Sequence, residues 1–239
     1  MTYTITSGPA EKMFPQVSAI VLECFEGVWT ADDLQQLINI PHDSKIFFVA
    51  KDESDNIIAY IFLATDYIED INAKITTVQE LGVLPDFRTE ELLEDLIQNS
   101  IDYATQQKAV LIEQFVSTID HWLIPYLLHF GFQATEIKAD KEIIEKNEAK
   151  IMLQKLEQTP QLEILMNQLF FEKDEELEAI MIESDEDINT IDKNQPLAFG
   201  SIINVKHPDE LEQTLRELTN CGIEWDEISI TFNYQLRGE

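Results

Sequence analysis

The residue types that most often bind metals or form disulfides are few in this chain, and their spacing suits neither role. Cys24 and Cys221 lie far apart in the sequence and outside any metal-ligand pattern, so we expect two reduced thiols, as is typical of the cytosol. The histidines likewise lack metal spacing and are expected to be structural or solvent-facing: His42, His121, His129 and His207. The sequence therefore predicts no metal site.

The charge of the chain is strongly negative, with 46 acidic and 16 basic residues and a net charge of −30. Such a field repels phosphate backbones and anionic headgroups, so neither nucleic acid nor a membrane is an expected partner. A cationic small molecule or a basic protein surface is favoured instead. The alternative is that the surplus carboxylates serve solubility alone.

Residues 1–156 alternate between strand and helix patterns. The best helix covers residues 89–107, where Leu92, Leu96 and Ile97 belong to one apolar stripe. Other helices are expected at 11–25, from residue 30 to Pro41, and at 120–130. Strands are expected at 3–6, 45–50, 57–64, 75–83, 109–116, 134–138 and 150–156. The sequence thus predicts an α/β domain of mixed strands and helices.

Residues 157–239 form a second predicted domain. They carry 20 acidic and 5 basic residues, the same net charge of −15 as residues 1–156 over about half the length. A helix is expected to begin at Pro160 and another at His207-Pro208, with strands at 198–205 and 227–234. This pattern indicates a smaller α+β domain of unknown role.

Three segments in the first region match one known family in order and spacing. They are Gln79-Glu-Leu-Gly-Val-Leu-Pro-Asp-Phe-Arg88, the helix at 89–107, and His129-Phe-Gly-Phe132. Residues 1–156 resemble the GNAT N-acetyltransferases, whose central strand ends in a V-x-P-x-[YF]-R turn before a cofactor helix. The resemblance implies a GNAT-like mixed sheet with flanking helices, in which the strand at 75–83 diverges from that at 109–116.

The cofactor that the resemblance implies is acetyl-CoA, with its pantetheine arm between the diverging strands. The matching cofactor-binding positions are Leu81, Gly82, Val83, Arg88 and Thr89. A pyrophosphate needs backbone N–H donors at a helix N-terminus and a loop that permits close approach. Gly82 also has another interpretation, since a glycine in a strand often marks a bulge.

The catalytic positions that the resemblance implies are Glu80 as general base and Tyr126 as the acid that protonates the departing thiolate. The alternative for Glu80 is a strand carboxylate that faces solvent. The family's tyrosine falls on Leu127, one position after Tyr126, and a shift of one residue rotates a helical side chain by about 100°. The alternative for Tyr126 is therefore packing. Core packing is expected of Trp29, with the lining of a substrate pocket as its alternative.

The phosphate loop departs from the family pattern. The family has [QR]-x-x-G-x-[GA], whereas this chain has Arg88-Thr-Glu-Glu-Leu-Leu93, which places Glu91 and Leu93 where small residues are expected. With Glu90, Glu91 puts carboxylates at the start of the helix, where they oppose an incoming phosphate. Two hypotheses remain: a capped helix that binds no phosphate, or a rearranged loop that still does.

The function implied by the resemblance is transfer of an acetyl group from acetyl-CoA to a primary amine of a cationic acceptor. A second hypothesis is a non-catalytic GNAT-fold module that binds or regulates through its acidic surface, and a third is an acidic mimic of nucleic acid. The sequence shows no signal peptide and no apolar run of about 18 residues, so we expect a cytoplasmic protein.

Overall fold

The structure is a computed structural model of the chain. It describes residues 2–25, 27, 29–117, 122–143, 145–173, 176–190, 197–205, 207 and 210–236. Contacts divide the chain into two compact units. The first consists of Met1–Phe115, His129–Phe132 and Asn233–Glu239, and the second of Val116–Leu128 and Gln133–Phe232. The limits of these units do not coincide with the division at residue 156 that the sequence suggests. Independent folding of residues 1–156 stays a prediction, which expression of that fragment tests.

The first unit contains a five-stranded sheet in the order β1-β2-β3-β4-β5. Neighbouring strands run antiparallel, except that β4 and β5 are parallel. Its elements are β1 (Tyr3–Pro9), α1 (Ala10–Val17), α2 (Val21–Cys24), α3 (Ala31–Asn39), β2 (Ser44–Asp52), β3 (Ile57–Ile68), β4 (Ala73–Val83), α4 (Glu90–Gln107) and β5 (Ala109–Ser117). The unit also includes residues near the end of the sequence, since the Leu236 amide donates to the Val110 carbonyl over 3.0 Å.

The two faces of this sheet carry different helices. On one face, α1, α2 and α3 pack against Phe47, Val49, Tyr60 and Phe62 in a single apolar cluster. On the other face lies α4, where Tyr103 contacts Phe48, which neighbours Phe47 on β2 and therefore points the opposite way. The two longer helices begin as the sequence predicts, because Thr30 caps α3 and Thr89 caps α4.

The second unit contains a sheet in the order β10-β6-β9-β7-β8. Its elements are α5 (Ile124–His129, whose last residue belongs to the first unit), β6 (Gln133–Ile143), α6 (Lys146–Glu157), β7 (Ile164–Lys173), β8 (Glu176–Met181), α7 (Asp185–Thr190), β9 (Leu197–Asn204), α8 (Leu211–Asn220) and β10 (Glu227–Gln235). Strand β9 pairs antiparallel with both β6 and β7.

The mixed α/β fold is confirmed, but several predicted elements are wrong. The predicted strand at 150–156 is part of α6, because Ala149, Met152, Leu153 and Leu156 are buried at helical spacing. Glu145 and Glu148 cap that helix reciprocally. Residues around Pro160 form a turn instead of a helix, and the predicted helix at 11–25 is two helices that end at Val17 and Cys24.

Within the described ranges, no helix combines the length and the apolar character that a membrane crossing requires. The same ranges contain no group of three or more His, Cys, Asp or Glu side chains arranged to hold a metal ion. His121 lies outside the described residues. Of the other histidines, His42 contacts Asp66 at 2.6 Å, His129 lies 3.3 Å from Glu90, and His207 is exposed.

Candidate functional site

The central feature of the first unit is the place where its two parallel strands separate. Strand β4 pairs with β5 from Lys74 to Val78, opposite Ala109 to Gln114. Within these fully described strands, β4 then continues through residues 79–83 without a partner in β5, although it still pairs with β3 on its other side. The backbone of Leu81, Gly82 and Val83 therefore has one edge outside the ladder with β5.

A bulge in β4 sets the direction of the side chains along this stretch. Phe62 of β3 pairs with Glu80 and Leu63 pairs with Val78, so Gln79 is an extra residue in β4. Directly paired residues share a face of the sheet. Glu80 thus lies on the face of α1–α3, together with Phe62, while Val78 lies on the face of α4. Because of the bulge, Val78 and Glu80 lie on opposite faces, although residues two positions apart share a face in a regular strand.

Glu80 is a buried carboxylate with a hydrogen-bond donor at each oxygen. The residue is 8% exposed. The indole N–H of Trp29 donates to Oε2, and the hydroxyl of Tyr60 donates to Oε1. Such donors offset the cost of burying a charged group. The alternative of a solvent-facing strand carboxylate is therefore wrong.

Gly82 permits this arrangement because the ring of Tyr60 lies across β4 at that residue. A Cβ atom at Gly82 would lie 2.4 Å from Cε1 and 2.7 Å from Cζ of Tyr60, far inside van der Waals contact. The register shift lies at Gln79, so the interpretation of Gly82 as a bulge residue is wrong. Its missing side chain allows a close approach instead.

The groups around Glu80 stay protonated at neutral pH. Burial, and after it the nearby charge of Glu80, raises the pKa of the Cys24 thiol to about 12. The same two causes, in the same order, raise the pKa of Tyr60 well above its usual range. Cys24 is therefore a thiol and not a thiolate nucleophile.

The predicted phosphate end lies at the start of α4, where the chain supplies its own partners. Arg88 donates from Nη2 to the Cys24 carbonyl over 3.0 Å, and the Thr89 hydroxyl accepts from the Leu92 amide at 3.4 Å. Glu91 is exposed, whereas Leu93 is completely buried. The bulk of Leu93 therefore faces the core of the unit and does not block the surface, which leaves charge as the obstacle.

Tyr126 belongs to the second unit, on α5, where its ring contacts Trp122 in an edge-to-face arrangement with centroids 6.5 Å apart. Its proposed role in protonating a thiolate stays a prediction.

The second unit also contains a cavity of about 360 Å³. Ile143, Met152 and Ile223 supply apolar surface there, and Lys141 and Lys155 supply ammonium groups.

Two residues of the site escape sequence reasoning. Trp29 was assigned to core packing, and it does contact the apolar cluster, but its N–H binds Glu80. Tyr60 lies inside an apolar run and gives no signal of its own. The available signal was Gly82, since a glycine inside a strand indicates close approach of another group.

The solved structures that weakly resemble this chain include the following three. An N-acetyltransferase from Staphylococcus aureus Mu50 has 13% identity and a TM-score of 0.45, over 58% of this chain and 86% of its own. The ribosomal-protein-S18-alanine N-acetyltransferase from Escherichia coli has 12% identity and a TM-score of 0.46, over 85% and 94%. Arabidopsis thaliana NAA60 in complex with acetyl-CoA has 9% identity and a TM-score of 0.45, over 85% and 99%.

No protein-family model and no curated protein matches the sequence. Likenesses of this size to solved structures do not identify an activity or a substrate.

Proposed function

We propose that this chain is an acyl-CoA-dependent N-acetyltransferase that acts on a primary amine of a cationic acceptor. The observation that carries the proposal is the separation of β4 from β5 after Val78 and Gln114. A strand edge without a neighbour exposes N–H and C=O groups in a regular row. Acetyl-CoA supplies the thioester carbonyl that an amine attacks, and its pantetheine arm contains amides that suit such an edge.

The chain's own base in this proposal is Glu80. Its carboxylate lies at the separated stretch of β4, and an amine must lose a proton before or during attack. Tyr60 and Trp29 fix the position of the carboxylate by donating to its two oxygens. Acceptance of a proton requires that one of these donors yields its place or that a water connects the acceptor with Glu80.

The fit to the cofactor differs between its two ends. The pantetheine arm fits the free edge of Leu81, Gly82 and Val83. The pyrophosphate would lie at the start of α4, next to Thr89, Glu90 and Glu91. The negative charges of the exposed Glu90 and Glu91 repel the phosphates and lower the affinity of the protein for the cofactor. Weak cofactor binding is therefore part of the proposal.

The acceptor is proposed to be a cation, either a polyamine-like small molecule or a basic protein surface. The net charge of −30 favours the approach of positive partners and disfavours that of anionic ones. An amine acceptor is itself cationic before it loses its proton, so charge and chemistry agree.

A second candidate is a non-catalytic GNAT-fold module, and one observation favours it. Both oxygens of Glu80 already accept hydrogen bonds within the chain, as a structural carboxylate would. Arg88 is also engaged, by the Cys24 carbonyl. In this alternative the acidic surface binds a basic partner and no acetyl group is transferred.

Two measurements on the purified full chain separate the candidates. Titration calorimetry with acetyl-CoA measures cofactor binding, and release of the free thiol in the presence of spermine or a lysine-rich peptide measures transfer. We expect binding, transfer by the wild type, and a 10²- to 10⁴-fold lower rate in Glu80→Gln with unchanged cofactor affinity. Absence of binding at millimolar acetyl-CoA would refute the enzyme and leave the module.

The charge obstacle has its own test in Glu91→Gln. Removal of one carboxylate at the start of α4 should raise acetyl-CoA affinity about two- to five-fold, and the gain should shrink as salt is added. Glu94→Gln is the matched control, because Glu94 is equally exposed but lies one turn further along the helix. Equal gains in both variants would show a general charge effect and not a local one.

A further inference from the structure

Gln114 is a buried amide at the point where β4 and β5 separate. It is the last β5 residue paired with β4, and it is 3% exposed. Its side-chain oxygen is buried and has no hydrogen-bond partner within the part of the chain that the structure describes. A buried acceptor without a donor costs free energy, so such a group calls for an explanation.

Several other buried polar side chains of the first unit have hydrogen-bond partners. The hydroxyls of Thr65 and Thr76 bind one another at 2.9 Å, and the Ser100 hydroxyl donates to the Leu96 carbonyl over 2.9 Å. Glu80 receives two donors. Among the described residues of this unit, His42 Nε2 is also buried without a partner, but it lies away from the separation of the strands, where Gln114 is found.

The face on which Gln114 lies distinguishes the two reactants of the proposed function. Gln114 pairs with Val78, and Val78 pairs with Leu63, so these three residues share the α4 face of the sheet. Glu80 lies on the other face. A ligand that passes between the separated strands meets Gln114 on the side of α4, where the cofactor is expected, and Glu80 on the opposite side.

We infer that the Gln114 amide oxygen accepts a hydrogen bond from an amide N–H of the pantetheine arm of acyl-CoA. The inference rests on the proposed function, since it requires that this arm lies between β4 and β5. The oxygen can only accept, and the arm presents amide N–H donors along its length. Gln114 is thus a binding residue that acts on affinity, whereas Glu80 acts on proton transfer.

The test compares the affinities of the full-length wild type and Gln114→Met, a variant of similar length and shape without the oxygen. The probes in calorimetry are CoA, pantetheine, and adenosine 3′,5′-diphosphate. We expect a three- to ten-fold loss of affinity for CoA and for pantetheine, with no change for the adenosine fragment. Gln114→Leu should show the same pattern, so the result does not depend on one replacement.

A stability measurement separates this role from a structural one. Without ligand, Gln114→Met should unfold at the same or a higher urea concentration than the wild type, because an unpaired buried acceptor has been removed. Thr76→Val is the matched control: it breaks the satisfied Thr65–Thr76 pair on the same face, so it should unfold at lower urea with unchanged CoA affinity.

The outcomes distinguish the two proposals. If the wild type binds CoA and Gln114→Met binds it equally well, the inference about Gln114 is wrong while the proposed function stands. If the wild type binds pantetheine in a manner that depends on Gln114 but binds CoA no better, the inference stands and the phosphate end contributes nothing. If neither probe binds the wild type, both proposals fail.

Discussion

Each unit of this protein contains a strand glycine beneath an aromatic ring and close to a carboxylate, and one difference between the two sites is the hydroxyl of that ring. In the first unit Tyr60 lies over Gly82 and donates to Glu80. In the second, a Cβ atom at Gly200 would lie 2.7 Å from both Phe170 Cε2 and Asp140 Oδ1. Phe170 has no hydroxyl to donate.

The difference teaches how a chain can bury a carboxylate. Glu80 is almost fully buried and receives two donors, whereas Asp140 is half-buried and its pKa is raised, first by burial and then by the charge of Glu227, against the opposing effect of Lys138. Two donors, one of them in the ring, offset the cost of burying the Glu80 charge, whereas the Asp140 carboxyl stays partly in water.

The largest expected effect comes from filling the two glycines. Gly82→Ala forces a methyl group into the ring of Tyr60, which the core holds in place, and should lower the free energy of unfolding by about 3 kcal/mol. Gly200→Ala should cost about 1 kcal/mol, because Asp140 and Phe170, the two side chains that the methyl group would meet, are both only partly buried and can shift. Urea unfolding measures both, and equal losses would contradict the comparison.

A smaller effect is expected from Tyr60→Phe, which makes the first site resemble the second. Glu80 then loses one donor while it stays buried, and we expect about 2 kcal/mol less stability at pH 7. Tyr3→Phe is the matched control, because Tyr3 also donates to a carboxylate, Asp95, but at an exposed position. That change should stay within about 0.5 kcal/mol, and a similar cost for both would show that burial of Glu80 is unimportant.

The smallest effect concerns pH. Because the pKa of Asp140 is raised in the folded state, the folded protein keeps that proton to higher pH than the unfolded chain does, and stability falls as pH rises above the ordinary aspartate pKa. Asp140→Asn removes this penalty. It should stabilise the protein by about 0.5 kcal/mol at pH 7, with allowance for solvent screening, and the gain should vanish below about pH 4.

Asp226 supplies the control of opposite sign. The Lys141 ammonium, 2.6 Å away, and the Glu142 amide lower the pKa of Asp226, so its contribution is present above the ordinary aspartate pKa and is lost as pH falls. Asp226→Asn should therefore destabilise at pH 7. Urea unfolding at pH 7 and pH 4 checks both variants. Stabilisation by both at pH 7 would point to a general relief of negative charge.

Sequence reasoning recovered the elements whose signals are local and regular. The apolar stripe predicted α4, and the strand patterns at 45–50 and 57–64 predicted β2 and β3. It missed α6, because residues 150–156 were predicted to form a strand although the buried Ala149, Met152, Leu153 and Leu156 recur at helical spacing. A short apolar run does not by itself distinguish a strand from a buried helix.

The details of the site were less accessible for a physical reason. Whether Glu80 points inwards depends on the bulge at Gln79, and a shift of one residue moves a strand side chain to the other face. The contacts of Glu80 come from Trp29 and Tyr60, which lie 51 and 20 positions away in the sequence. No local pattern specifies such contacts.

The hydrogen bond from Leu236 to the Val110 carbonyl has a consequence for the order in which the protein can fold during synthesis. It joins positions 126 residues apart within the first unit, so residues 1–115 leave the ribosome long before this partner exists. Contacts of such sequence separation slow folding and prolong the exposure of unpaired backbone groups. The edge at Val110 is therefore accessible to chaperones and to other chains from the time it leaves the ribosome until the chain is complete.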